Sequence, residues 1–334
     1  MMHVDLTVIW AGIIVFAIVM YVVMDGFDLG IAILFTRFKV GTERDTAMNS
    51  IAPVWDGNET WLVLGGGGLM AAFPLGYAII LPALYAPMIA MLLGLVFRGV
   101  AFEFRWRDPN HRARWDAGFC IGSIIATFAQ GVTLGALLQG ISISGRAYAG
   151  GYWDWLTPFS VLTGVSLVVG YALLGACWLI WKTSGTVHAE ARRFARALTP
   201  GLLAAIAAVS IYTPFLNTKF YQTWFTWPGI GALAVMPLGV AAIGVSLYRC
   251  IVKGHDFAPF ALTLSLFALS LLGLAISMWP DIIPSRLSVW DAAAPKSSQE
   301  FMLVGACILV PLILAYTSWA YWVFRGKVAE EGYH

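Results

Sequence analysis

Residues 6–35 read LTVIWAGIIVFAIVMYVVMDGFDLGIAILF, and the only charges in that stretch are Asp25 and Asp28. An apolar run of this length can cross the roughly 30 Å hydrocarbon core of a bilayer as a helix, which takes about 20 residues. Working outward from it, further apolar runs at 51–73, 77–101, 117–140, 157–181, 199–216, 229–250, 258–279 and 300–324 predict nine transmembrane helices in an all-α integral membrane protein. Composition points the same way: the 334 residues are 60% hydrophobic and 11% charged, against about 25% charged in a soluble domain. No soluble enzyme and no nucleic-acid surface fits such a chain. Residues 1–334 read as one polytopic membrane domain, with no short repeat or low-complexity tract.

The net charge of +2 hides an ordering of the cations. Loops after the odd-numbered helices and the C-terminal tail hold Arg37, Lys39, Arg44, Arg105, Arg107, Arg112, Arg114, Lys182, Arg192, Arg193, Arg196, Arg249, Lys253, Arg325 and Lys327. The other side holds only Arg146, Lys219, Arg286 and Lys296. By the positive-inside rule the basic side is cytoplasmic, so the N-terminus lies outside and the C-terminus inside. The first segment is too long for a signal peptide and lacks a basic leader, so it is expected to be retained. Cys120, Cys177, Cys250 and Cys307 show no CxxC spacing and are expected to be buried free thiols.

A carboxylate inside a bilayer costs about 2.5–3.5 kcal/mol at a helix centre, so one that is retained there marks an ion or proton route. Four lie in the first two segments: Asp25, Asp28, Asp56 and Glu59. With Asn49 or Ser50 as N-cap and Pro53 in the first turn, the second helix places Asp56 and Glu59 on one face, roughly 8–12 Å from its cytoplasmic end. Asp25 and Asp28 come roughly 10–15 Å from the same side. Arg98, near the end of the third segment, is one cation for four potential anions, so some must be protonated or a further cation must join them. Arg98 then reads as a counter-ion, and Trp55 as a wall of a dry pocket or a depth anchor. Gly65, Gly66, Gly67 and Gly68 let another backbone approach closely, within the chain or from a second subunit. Asp56-Gly57 admits a different reading, as the interrupted helix of a secondary transporter.

His3, His111, His188, His255 and His334 all fall in expected loops or termini. Buried haem iron is most often held by His, so a His-ligated intramembrane haem cannot be built from this chain alone. Redox cofactors, if the chain serves a redox complex, belong to a partner.

The stretches Met24-Asp25-Gly26-Phe27-Asp28-Leu29-Gly30 and Asn49-Ser50-Ile51-Ala52-Pro53-Val54-Trp55-Asp56-Gly57-Asn58-Glu59-Thr60-Trp61 resemble the signature of subunit II of cytochrome bd-type quinol oxidases. Trp279-Pro280, Ser288-Val289-Trp290-Asp291 and Tyr316-Thr317-Ser318-Trp319-Ala320-Tyr321-Trp322 resemble its final loop and last helix. The resemblance implies two four-helix bundles plus one peripheral helix, paired across a pseudo-two-fold with a subunit I that carries the haems (b- and d-type, or b in place of d) and the quinol site. It implies a complex of the bacterial inner membrane that oxidises quinol at the outer face and reduces O2 to water with cytoplasmic protons, building proton-motive force without pumping. The family's proton route passes through the Asp of Trp-Asp-Gly-Asn, here Asp56. Trp55, and Arg98 within Leu95-Val96-Phe97-Arg98-Gly99-Val100, match supporting positions, and Asp25 and Asp28 match the acidic pair of the first helix. Glu59 stands where other members carry Gln. The resemblance also allows a structural quinone, with no residues mapped to it here, and a small single-helix accessory subunit. The compact loops are similar to those of the cyanide-insensitive branch. The alternative is a stand-alone cation- or proton-coupled secondary transporter using the same carboxylates, with its helix break at Asp56-Gly57.

Overall fold

A computed structural model describes residues 5–227 and 229–328. Helix α1 (Leu6–Leu34) is N-capped by Asp5, whose carboxylate accepts from the Thr7 N–H at 2.9 Å. After a 3-10 turn at Phe35–Arg37 come α2 (Thr42–Asn49), α3 (Trp55–Ala72), α4 (Pro74–Ala83), α5 (Tyr85–Arg107) and α6 (Arg112–Gln139). A small hairpin, β1 (Ile143–Ser144) and β2 (Ala147–Tyr148), leads to α7 (Pro158–Lys182), α8 (Gly185–Tyr212), α9 (Thr218–Phe225), α10 (Gly229–Lys253) and α11 (Phe257–Met278). A second hairpin, β3 (Asp281–Ile283) and β4 (Leu287–Ser288), precedes α12 (Val289–Ala292) and α13 (Lys296–Val323).

Among the described residues eight helices are long and apolar enough to cross a membrane, and α3 with α4 makes a ninth if that pair, bent by 119°, is one span. The bend has a local cause. Pro74 opens α4, and the residue before a proline is pushed out of the helical region; Phe73 accordingly sits at φ −132°, ψ 61°. The expected third helix at 77–101 is therefore two elements: its first turns belong to α4, and α5 starts only after Leu84 (φ −112°, ψ 21°). Helix α3 begins at Trp55, later than expected, because Ile51 to Val54 form a turn. Ser50 ends α2 instead of capping α3, whose N-cap is Val54 with no side-chain hydrogen bond. Helix α8 starts well before residue 199. Its first half is amphipathic, burying Val187, Ala191 and Ala195 at four-residue spacing beneath a basic surface, and Pro200 sits inside it. An apolar-run scan finds only the second half of such a helix.

Helix α1 packs on α3, α6 and α7; α5 on α6; α7 also on α6, α8 and α11; α10 on α8 and α11; and α13 touches α1 and α3. The α1–α7 crossing is backbone on backbone. A Cβ on Gly30 would stand 1.8 Å from the Tyr171 carbonyl oxygen, and one on Gly175 2.4 Å from the Gly30 carbonyl carbon. This is small-residue packing as membrane helices use it, one turn beyond the acidic pair. Below it Phe27 stacks on Trp178 at 4.1 Å, within a cluster that includes Ile31, Phe35 and Phe260. The far end is closed by the Asp281 to Gln299 segment: the Ala294 N–H donates to the Ala72 carbonyl (2.8 Å), the Trp10 indole to the Gln299 carbonyl (3.1 Å), and the Trp290 indole to Asp5 (2.7 Å).

Candidate functional site

Three elements meet around Arg98. Helix α1 supplies Asp25 and Asp28, α3 supplies Asn58 and Glu59, and α5 supplies Arg98 itself. Asp25 is 0% exposed, and Asp28, Asn58 and Arg98 are 1% exposed. Arg98 Nη1 donates to Asp25 Oδ1 at 2.5 Å and Nη2 to Glu59 Oε2 at 3.3 Å, the Glu59 side chain being 29% exposed. The Trp55 ring lies 5.6 Å from the guanidinium carbon, a cation–π contact, and packs on Phe102 at 4.9 Å. Trp55 is thus a wall of the site.

Asp28 is held by an amide, not by a cation. Asn58 Nδ2 donates to Asp28 Oδ2 at 2.7 Å and to the Met24 carbonyl at 3.1 Å, while Asn58 Oδ1 accepts from the Tyr321 hydroxyl at 3.0 Å. Asp25 Oδ2 and Asp28 Oδ1 are buried with no hydrogen-bond partner among the described groups. One guanidinium balances one carboxylate, so a cluster of three carboxyls has room to hold protons.

Asp56 does not join this cluster. It is exposed in the first turn of α3 and makes no hydrogen bond or ion pair among the described residues. A helix turns about 100° per residue, so Asp56 lies roughly 160° around α3 from Asn58, whose side chain meets α1. The expectation of four carboxyls gathered together therefore becomes three inside and one on the surface. Gly57 lies within a continuous α3, so the helix break that a transporter reading needs at Asp56-Gly57 is not there; the break is at Phe73-Pro74. The glycine run divides in two. A Cβ on Gly65 or Gly68 would meet α1 at 3.8 Å (Ile18) or 3.4 Å (Ile14), whereas Gly66 and Gly67 face open space.

Residues 6–324 match the family model for cytochrome bd terminal oxidase subunit II. The chain belongs to that family. It is 32% identical over 361 residues to cytochrome bd-I ubiquinol oxidase subunit 2 of Escherichia coli (strain K12), covering 97% of this chain and 95% of that relative. It is 28% identical over 334 residues to cytochrome bd ubiquinol oxidase subunit 2 of Bacillus subtilis (strain 168), covering 97% of each. Its fold matches a chain in the structure of bd oxidase from Geobacillus thermodenitrificans with a TM-score of 0.76 at 16% identity, over 96% of this chain and 99% of that one.

The described histidines of this subunit II chain all lie at the basic end, where they do not fit an intramembrane haem. His111 and His255 stand between helices at the basic end, and His188, expected in a loop, lies in the first turn of α8 at that same end. Its Nδ1 meets the Ile180 carbonyl at 2.9 Å; His3 and His334 lie outside the described residues. Among the described residues no three His, Cys, Asp or Glu side chains gather to hold a metal ion. The four thiols are unpaired, but only Cys120 and Cys177 are buried; Cys250 is half-buried and Cys307 is exposed.

Sequence reasoning missed Asn58 and Tyr321 as members of the subunit II cluster, although Asn58 sits inside the quoted motif and is an amide in an apolar segment. It also placed Arg105 in a loop. Helix α5 runs on to Arg107, and Arg105 is buried, pairing with Asp116 at 2.6 Å and Asp45 at 2.7 Å, while Arg44 takes the other Asp116 oxygen at 2.6 Å. That network ties α2, α5 and α6 together at the basic end.

Proposed function

We propose that this chain is the non-haem subunit of a respiratory quinol:O2 oxidoreductase of the bacterial inner membrane, and that it supplies protons to a haem-bearing subunit I. Membership of the subunit II family supports the assignment to the complex, and its E. coli and B. subtilis relatives are named as subunits of ubiquinol oxidases. On this reading the chain is one polytopic domain of two four-helix bundles and a peripheral helix, with its basic face in the cytoplasm and its N-terminus outside. Haems of b and d type, or b alone, and the quinol site belong to subunit I; a structural quinone or a single-helix accessory subunit is compatible with it.

The observation that carries proton supply is the gradation of carboxyls around one buried cation. Asp56 is exposed on α3, Glu59 one turn on is partly exposed, and Asp25 and Asp28 are buried, each with an oxygen that has no hydrogen-bond partner among the described residues. Protons pass between Asp56 and the inner pair by way of Glu59, while Arg98 and Trp55 hold the positions of the carboxyls between transfers. Asp56 and the bare backbone at Gly66 and Gly67 share the exposed side of α3, the surface suited to a partner's close approach.

The test is quinol-dependent O2 uptake by the purified complex, with a reduced-minus-oxidised spectrum to count haem, for wild type, Asp56→Asn and Asp28→Asn. A relay group contributes roughly 10²–10⁴ in rate, so turnover falls by at least about tenfold at unchanged haem content. Wild-type turnover in both variants refutes proton supply, and loss of haem reduces the cluster to a brace for subunit I.

A further inference from the structure

At the basic end, the turn between α2 and α3, the last turn of α7 and the end of α13 enclose a narrow cleft lined by Asn49, Ser50, Trp178, Lys182, Tyr321 and Phe324. It has room for about one water molecule at a time. Among the described residues, two polar atoms of its lining residues are buried without a partner: Asn49 Oδ1, an acceptor, and Trp178 Nε1, a donor. The two residues are 7% and 2% exposed. An orphaned acceptor and an orphaned donor on residues that line one small cleft suit a bridging water there. A third lining residue, Tyr321, reaches inward: its hydroxyl donates to Asn58 Oδ1 at 3.0 Å, and Asn58 Nδ2 donates to Asp28 Oδ2 at 2.7 Å. The polar seam ends at Asp28 Oδ1, which is buried and has no partner among the described residues.

The mouth is strapped. Lys182 Nζ donates to the Phe324 carbonyl at 2.5 Å, and the Val328 N–H donates back to the Lys182 carbonyl at 2.8 Å, so residues 324–328 lie across the end of α7. The Lys182 ammonium also lies 5.5 Å from the Trp178 ring and 5.4 Å from that of Trp181. This fixes the cation on the wall and leaves Asn49, Trp178 and Tyr321 as the polar groups that water can address.

We propose that this cleft is a water inlet from the basic face to Asp28, separate from the exposed Asp56, with Tyr321 and Asn58 as positioning residues. The proposal rests on the proton-supply reading above. The amide carries no proton itself: Asn58 holds Asp28 Oδ2, Tyr321 holds Asn58, and a proton relayed along water from the cleft reaches Asp28 Oδ1, each water giving up one proton as it takes another from the water behind it. Asp28 passes the proton on and is ready for the next.

The experiment follows hydrogen–deuterium exchange of the Asp28 carboxyl by infrared spectroscopy after the purified complex is moved into D2O, with Asp28→Asn assigning the band. Tyr321→Phe keeps the ring that packs on Trp178 at 6.1 Å and removes only the hydroxyl; Ser50→Trp plugs the cleft. Tyr321→Phe is expected to slow exchange about two- to tenfold, the scale of one lost hydrogen bond, and Ser50→Trp to slow it at least as much, with the haem spectrum unchanged. Exchange at the wild-type rate in Tyr321→Phe overturns the inlet, even if Ser50→Trp fails to assemble. So does the absence of any carboxyl band assignable to Asp28. Failure of the underlying reading looks different: Asp56→Asn and Asp28→Asn then both turn over at the wild-type rate, whatever the exchange shows.

Discussion

Replacing Arg98 with Met tests whether the guanidinium is the counter-ion that lets Asp25 be buried. The substitution strips Asp25 of its partner at 2.5 Å and Glu59 of its partner at 3.3 Å, and it removes the contact with Trp55. Leaving one member of a buried pair uncompensated costs about 3–5 kcal/mol. The destabilisation is expected to fall in that range, read from denaturation in mixed detergent micelles. The double variant Asp25→Asn/Arg98→Met should recover most of the stability, since a buried pair replaced as a whole is often near neutral. A cost below about 1 kcal/mol, the range of an exposed pair, refutes the counter-ion role.

Two further outcomes follow from packing and from the far end of the bundle. Gly30→Ala puts a methyl 1.8 Å from the Tyr171 carbonyl oxygen, backbone that cannot swing away, so thermal unfolding of the complex should show a loss of at least about 1–3 kcal/mol, the usual range for overpacking; an unchanged midpoint would mean that α1 and α7 part without penalty. The Trp290 indole donates to Asp5 and holds that carboxyl below its usual range. A depressed carboxylate stabilises the fold above its unfolded pKa of about 3.9 and loses that contribution as pH falls through the lower folded value. Amide exchange at residues 288–292 should therefore stay slow at neutral pH and quicken only well below pH 4, while Trp290→Phe should show the fast rate at neutral pH.

What the sequence made legible was whatever contrasts with an apolar background. Asp25, Asp28, Glu59 and Arg98 stand out because ionisable groups are rare in such runs, and the structure puts them together. Asn58 and Tyr321 gave no such contrast. An amide beside three more conspicuous residues and a tyrosine among Trp319 and Trp322 look like helix filler and an interfacial belt. Only the fold, which brings α13 to α1 and α3, shows them bonded to each other and to Asp28. The start of α8 was hidden for the opposite reason, a half-polar helix end that an apolar window discards, and with it the helical position of His188. The bend at Phe73-Pro74 was written in the proline, but an uninterrupted hydropathy signal on both sides concealed that one run serves two elements.

The side on which Asp56 lies has a consequence for how such a subunit can work. Asp56 and Asn58 are two residues apart, so one helical rotation decides that the amide faces α1 while the carboxylate faces away. Turning α3 to bury Asp56 would take Asn58 from Asp28 and Glu59 from Arg98 together, removing a hydrogen bond of 2.7 Å and an ion pair of 3.3 Å. The exposed position is therefore enforced by the buried contacts. A carboxylate held outward in this way, one turn from a partly exposed glutamate that touches the buried arginine, is placed to exchange protons with whatever covers α3. On the proposed reading that cover is subunit I, and the cluster behind it has a mouth at each end: Asp56 toward the partner and the Tyr321 cleft toward the basic face. Arg98 sits between them as a fixed positive charge that opposes a free hydronium but not a proton carried on a carboxyl. Transfer between the two mouths then has to run through Asp25, Asp28 and Glu59 and cannot bypass them as bulk water.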